Sequence, residues 1–122
     1  MTRPETWPGD THICIPAYKA AEHLRRLLPD LLPVCGNERI CVVDDGSGDD
    51  TPDVYRAHGI PCIQHEHNRG KGAALATGFR ACIRQGARWV LTMDADGQHA
   101  VADIPRFLDA AHTHPYAGII IG

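Results

Sequence analysis

The chain has 122 residues, a formal net charge of −3 at pH 7 and 43% hydrophobic against 22% charged residues. A single domain of this size buries roughly two-thirds of the surface its unfolded chain exposes, and basic residues scattered along an acidic chain exclude the cationic face that a nucleic acid partner requires. No apolar run approaches the ~18 residues of a membrane span, and Met1 to Asp10 carries Arg3, Pro4, Glu5 and Pro8 without an apolar centre, so the expectation is an unexported, cytoplasmic chain.

Residues 1–10 read as an N-terminal extension. The first apolar, β-branched run, 12–16, is a candidate strand that ends in Pro16-Ala17-Tyr18. It lacks the GxGxxG turn of a dinucleotide fold. An aromatic ring at such a strand tip can lie against a planar base or can pack at a helix start, and this segment alone does not separate the two. Helical spacing follows over 19–32, where Ala21, Leu24, Leu27, Leu28, Leu31 and Leu32 share a face, and Pro33 is expected to end the helix.

The second strand, 39–43, runs into VVDDGSGDDT at 42–51. Successive strand residues face opposite ways, so Asp44 and Asp45 cannot both enter one site. One can accept from a ligand while the other buttresses the turn, and a charge-assisted bond from a base N–H to Asp45 is worth about 1.5–3 kcal/mol. The plainer alternative is a solvated turn in which Asp49 or Asp50 caps the next helix, 51–58.

A third strand at 60–64 leads into NRGKGAALATGFR, 68–80, where a helix expected over 71–85 begins with Arg69 and Lys71 among Gly70 and Gly72. Free N–H groups, the helix dipole and two cations favour an anion there. The GxxxxGK[ST] spacing of a P-loop is absent, and an ordinary glycine-rich turn is the competing reading. His65 and His67 form an HxH pair for which no further zinc ligands stand at fitting spacing.

The fourth strand, 88–93, ends in LTMDADGQH, 91–99. Two carboxylates two residues apart project to one side of an extended tip. With Gln98 as a third oxygen donor, Asp94 and Asp96 suit a hard divalent ion, Mg2+ or Mn2+, that keeps positions open for water and phosphate. A last helix, 103–112, and strand, 117–121, complete an alternation that implies a mostly parallel sheet with flanking crossover helices. Such sheets bind ligands at the carboxyl ends of their strands, where all these polar segments fall. Five cysteines, Cys14, Cys35, Cys41, Cys62 and Cys82, form no CxxC pair and read as buried small apolar residues in a reducing compartment.

In order, spacing and strand-end context, residues 11–122 resemble the family 2 glycosyltransferases of the GT-A fold, close to the group that acts on dolichyl and other polyprenyl phosphates, whose metal motif often reads DADxQH. The resemblance implies an α/β, Rossmann-like GT-A donor portion without the acceptor portion. It implies a nucleotide diphosphate sugar, UDP- or GDP-linked, as ligand, with Pro16, Ala17, Tyr18, Asp45, Arg69, Lys71 and Asp94 at the nucleotide and Asp96 and Gln98 on a Mg2+ or Mn2+ ion. It further implies inverting hexosyl transfer, with a lipid phosphate as candidate acceptor and a general base expected beyond Gly122. The full-length protein is then expected at the membrane surface. The family usually places asparagine and an acidic residue after the tyrosine, whereas Lys19 and Ala20 stand here. In the GT-A pattern a later antiparallel strand lies between 88–93 and 117–121, so the latter is expected to expose an apolar edge and to favour self-association. A non-catalytic nucleotide-binding module and, less well, a nucleotidyltransferase are the alternatives.

Overall fold

The structure, a computed structural model, describes Trp7 and residues 9–95, 101–113 and 119–121. Strands β1 (Thr11–Ala17), β2 (Ile40–Asp44), β3 (Cys62–Gln64), β4 (Trp89–Thr92) and β5 (Ile119–Ile121) form one sheet in the order β3-β2-β1-β4-β5. Every pairing is parallel, with Ile13 opposite both Ile40 and Leu91. The intervening helices are α1 (Ala21–Cys35), α2 (Thr51–Ala57), α3 (Lys71–Arg84) and α4 (Ile104–Thr113).

Alternation along the strands divides the core into two layers. Ile13, Ile15, Ile40, Val42 and Leu91 meet the apolar faces of α1 and α2, joined by Ile104 of α4 and by Trp7. On the other side Cys14, Cys41, Val43 and Val90 meet Ala74 and Cys82 of α3. Both faces of the sheet are thus covered, which is why the strands read as near-continuous apolar runs. None of the five cysteines is in a disulfide. Burial pushes the Cys14 thiol up to about 12 and the Cys62 thiol up to about 11.

The approach of α3 to the sheet depends on one glycine. A Cβ on Gly78 would lie 2.2 Å from Cys14 Sγ and 3.2 Å from Val43 Cγ2, so only a residue without a side chain lets the helix sit this close.

Two expectations about elements are corrected. Pro33 does not end α1, which continues through Pro29 and Pro33 to Cys35 and stops at Gly36, whose N–H reaches Leu32 O at 2.8 Å. Leu24, Leu27, Leu28, Leu31 and Cys35 are all buried, and extending that face by another turn outweighs the two missing proline N–H groups. Nor is β5 separated from β4: Ile119, Ile120 and Ile121 pair in parallel with Val90, Leu91 and Thr92. The backbone groups on that edge of β4 take the partner that is present, and the expected ground for self-association, an unpaired 117–121, does not hold for Ile119–Ile121. Residues 117 and 118 lie outside the described part.

The chain passes from β1 outward to β2 and β3, then returns across the sheet to β4 beside β1. This reversal opens a crevice at the carboxyl ends of β1 and β4.

Candidate functional site

A cavity of about 470 Å³ opens at that crevice, walled by residues of the predicted tips, among them Pro16, Ala17, Tyr18, Asp45, Lys71 and Asp94. Its volume lies in the ~300–1,000 Å³ range of small-molecule sites. Lys19, His23 and Asn68 also line it, and sequence reasoning assigned them nothing. Lys19 adjoins the Pro16-Ala17-Tyr18 tip, and Asn68 opens the segment 68–80. His23 stands at the third position of α1, and no local pattern marks it.

The wall begins where β1 ends. The N–H of Asp45 bonds to Ala17 O at 2.8 Å, carrying the sheet ladder to the rim. Tyr18 projects with 48% of its surface exposed, and the Lys19 ammonium lies 5.4 Å from its ring centroid. Lys19 is the only non-glycine residue with positive φ among the described residues, at 49°. This left-handed conformation is one that asparagine tolerates better than lysine. Lys19 adopts it all the same. Its N–H donates to Ser47 Oγ at 2.8 Å, and the next N–H, of Ala20, to Thr51 Oγ1 at 3.2 Å. The loop after β1 is thus suspended from the loop after β2.

Asp44 and Asp45 divide their work as opposed strand residues must. Asp44, with no exposed surface, accepts from the Ser47 N–H at 3.0 Å, the Ser47 hydroxyl at 2.6 Å and the Tyr55 hydroxyl at 3.3 Å. It is the buttress of the turn. Asp49 accepts from the Thr51 N–H at 2.9 Å at the start of α2, whose N-cap residue, Asp50, makes no side-chain cap bond.

Asp45 reaches across to the β3–α3 loop. Its Oδ1 accepts from His65 Nδ1 at 2.8 Å and from the Arg69 N–H at 2.9 Å, and its Oδ2 from the Gly70 N–H at 2.8 Å. Burial by itself raises the carboxyl, but the bonds from His65, Arg69 and Gly70 outweigh it and hold the pKa below the usual carboxylate value. His65 is in turn fixed at Nε2 by the Thr77 hydroxyl at 2.9 Å. It is therefore a buried link from β2 to α3, while His67 is exposed. The β2 tip and this loop touch closely: a Cβ on Gly46, whose φ is 72°, would stand 2.4 Å from His67 C and 2.6 Å from Asn68 N.

Gly70, with φ 98°, precedes α3, whose first turn has no side-chain cap. Lys71 is the first residue of that helix, and its Nζ lies 2.7 Å from Asp94 Oδ1. This pair crosses the mouth between α3 and the tip of β4. Arg69 is exposed, does not line the cavity and enters the site through its backbone N–H alone.

Asp96 and Gln98 lie outside the described residues. Among the described residues no group of three or more His, Cys, Asp or Glu could hold a metal ion. What is present is Asp94, a hard oxygen donor at the rim of the kind Mg2+ and Mn2+ take. Among the described residues no helix is long and apolar enough to cross a membrane.

Comparison with known proteins places the chain in a family and supports its fold. The family described as glycosyl transferase family 2 matches residues 12–122. Polyprenol monophosphomannose synthase of Mycolicibacterium smegmatis is 36% identical over 110 residues, covering 82% of this chain and 40% of that protein. Undecaprenyl-phosphate mannosyltransferase of Micrococcus luteus is 35% identical over 113 residues, covering 88% and 45%. The chain therefore spans less than half the length of these relatives. Among solved structures, the mannosyltransferase PcManGT from Pyrobaculum calidifontis in complex with GDP-Man and Mn2+ superposes with a TM-score of 0.62 at 24% identity, over 80% of this chain and 30% of that one; it supports the fold.

Proposed function

The chain belongs to glycosyl transferase family 2, and from that premise we propose that residues 11–122 form the donor portion of an inverting hexosyltransferase that binds a nucleotide diphosphate sugar with Mg2+ or Mn2+. The observation that carries this reading is one cavity at the switch point of a parallel sheet, to which separate segments bring Tyr18, Asp45, Lys71 and Asp94.

In this reading Pro16 and Ala17 form the floor beneath a base that lies against Tyr18. Asp45 accepts from the base with the lone pair its internal bonds leave over. Lys71 and the uncapped start of α3 face the diphosphate, where cation and helix dipole both favour negative charge, while Arg69 serves the site through its backbone N–H, which holds Asp45. Asp94 sits beside ribose and diphosphate, and its bond to Lys71 is exchanged for contacts with the ligand. Asp96 and Gln98 would hold the metal ion, whose chemistry is to neutralise charge on the departing diphosphate.

The acceptor proposed is a polyprenyl phosphate, the chemistry named in the Micrococcus luteus relative. Such a phosphate is already ionised at neutral pH, so attack on the anomeric carbon needs no proton removed from the nucleophile. A protein acting on lipid phosphates works at the membrane surface, which is the location proposed for the whole enzyme.

Calorimetric titration of UDP- and GDP-sugars, with and without Mn2+, tests the reading. Binding is expected only with the metal, and Asp96→Asn is expected to weaken it by at least roughly tenfold, about 1.4 kcal/mol. Equal affinity in the presence of EDTA refutes the metal-dependent site.

A further inference from the structure

The donor reading admits either uridine or guanosine diphosphate, and the bonding of Asp45 separates them. A carboxylate offers about four lone-pair sites. Three are occupied: two on Oδ1, by His65 Nδ1 at 2.8 Å and the Arg69 N–H at 2.9 Å, and one on Oδ2, by the Gly70 N–H at 2.8 Å. His65 must carry its proton on Nδ1, because an ionised carboxylate has none to donate, and the Thr77 hydroxyl at 2.9 Å satisfies Nε2. A single acceptor position is left, on Oδ2, in a side chain only 4% exposed that forms part of the cavity wall.

The tyrosine end of the cavity adds a donor, the Lys19 ammonium held over the Tyr18 ring. The cavity wall thus offers a base one carboxylate acceptor, with the Lys19 donor on the same wall. Uracil presents the complement: one N–H between two carbonyls. Guanine presents a carbonyl followed by two adjacent donors, N1–H and the 2-amino group, and its recognition by a carboxylate uses both oxygens. Here Oδ1 is closed, so one of the two guanine donors would go without that partner, and sites built to pair a polar edge reject the edge that leaves groups unpaired.

We propose that the cavity selects uracil over guanine and that the donor is a UDP-sugar. The inference rests on the nucleotide diphosphate reading above, and it sets this chain apart from the guanosine complex of the Pyrobaculum calidifontis neighbour.

The test is competitive calorimetry of UDP and GDP at one fixed Mn2+ concentration. UDP is expected to bind at least roughly tenfold more tightly, the lower end of what one charge-assisted bond contributes. His65→Ala reopens a lone pair on Oδ1, and the ratio of UDP to GDP affinity is expected to fall toward one even if both affinities drop. Equal or tighter GDP binding by the parent chain refutes the selection while leaving the nucleotide site standing. Absence of binding by either nucleotide refutes the site itself, and the inference with it. An unchanged ratio in His65→Ala shown folded by circular dichroism refutes the lone-pair argument, and should that variant not fold, the parent ratio decides.

Discussion

Replacing Gly46 by alanine tests whether the β2 tip and the β3–α3 loop form one rigid unit, and Gly48 is the internal control. Both glycines sit at positive φ, 72° and 69°. A Cβ on Gly48 meets nothing within 4 Å, whereas one on Gly46 falls 2.4 Å from His67 C and 2.6 Å from Asn68 N. For Gly48→Ala only the left-handed backbone matters, about 1–2 kcal/mol, partly offset by roughly 0.4–1 kcal/mol from the stiffer unfolded chain. Gly46→Ala carries the same backbone cost and must also move the 67–68 backbone away. That movement pulls on the Arg69 and Gly70 N–H bonds to Asp45, each a charge-assisted bond of about 1.5–3 kcal/mol. The expected losses are therefore about 1 kcal/mol or less for Gly48→Ala and about 3–5 kcal/mol for Gly46→Ala, read from urea unfolding midpoints at constant m. Nucleotide affinity, measured by calorimetry on the folded fraction, should fall only for Gly46→Ala. If the two variants lose stability equally, to within about 0.5 kcal/mol, the close approach is not holding the loop and the account of Asp45 as its clamp is wrong.

Two further outcomes follow from the same contacts. Gly78→Ala should destabilise by about 1–3 kcal/mol, the usual cost of overpacking, because its Cβ meets Cys14 Sγ at 2.2 Å; adding Cys14→Ala should recover part of that loss in a double-mutant cycle, and strict additivity would show that α3 shifts outward freely. For Asp45, whose folded pKa is depressed, the linked stability is complete above the unfolded value near 4 and is lost as pH falls from there through the folded value; Asp45→Asn should thus be less stable than the parent at pH 7 and lack that part of the acid slope, and parallel curves for the two proteins would contradict it.

Much of this protein could be read from local pattern. The alternation of Ile13, Cys14 and Ile15, the helical spacing of Leu24, Leu27, Leu28 and Leu31, and the glycine-rich and acidic strand tips are each written within a few residues, because strand and helix periods are set by backbone geometry alone. From them came the parallel α/β fold, the rim on which the cavity lies, and the opposed directions of Asp44 and Asp45. Local signals failed where tertiary burial overrode them, as when the buried Cys35 drew α1 past Pro33.

What only the folded chain decided is which polar groups already have partners. Asp45 meets His65, Arg69 and Gly70 at separations of 20, 24 and 25 residues, and Lys71 meets Asp94 across the mouth of the cavity. An adjacent pair of aspartates looks the same in sequence whether its lone pairs are open or occupied. The hydrogen bonds that decide it form only when the ends of β1, β2 and β4 and the start of α3 are brought to one rim by the order of strands in the sheet.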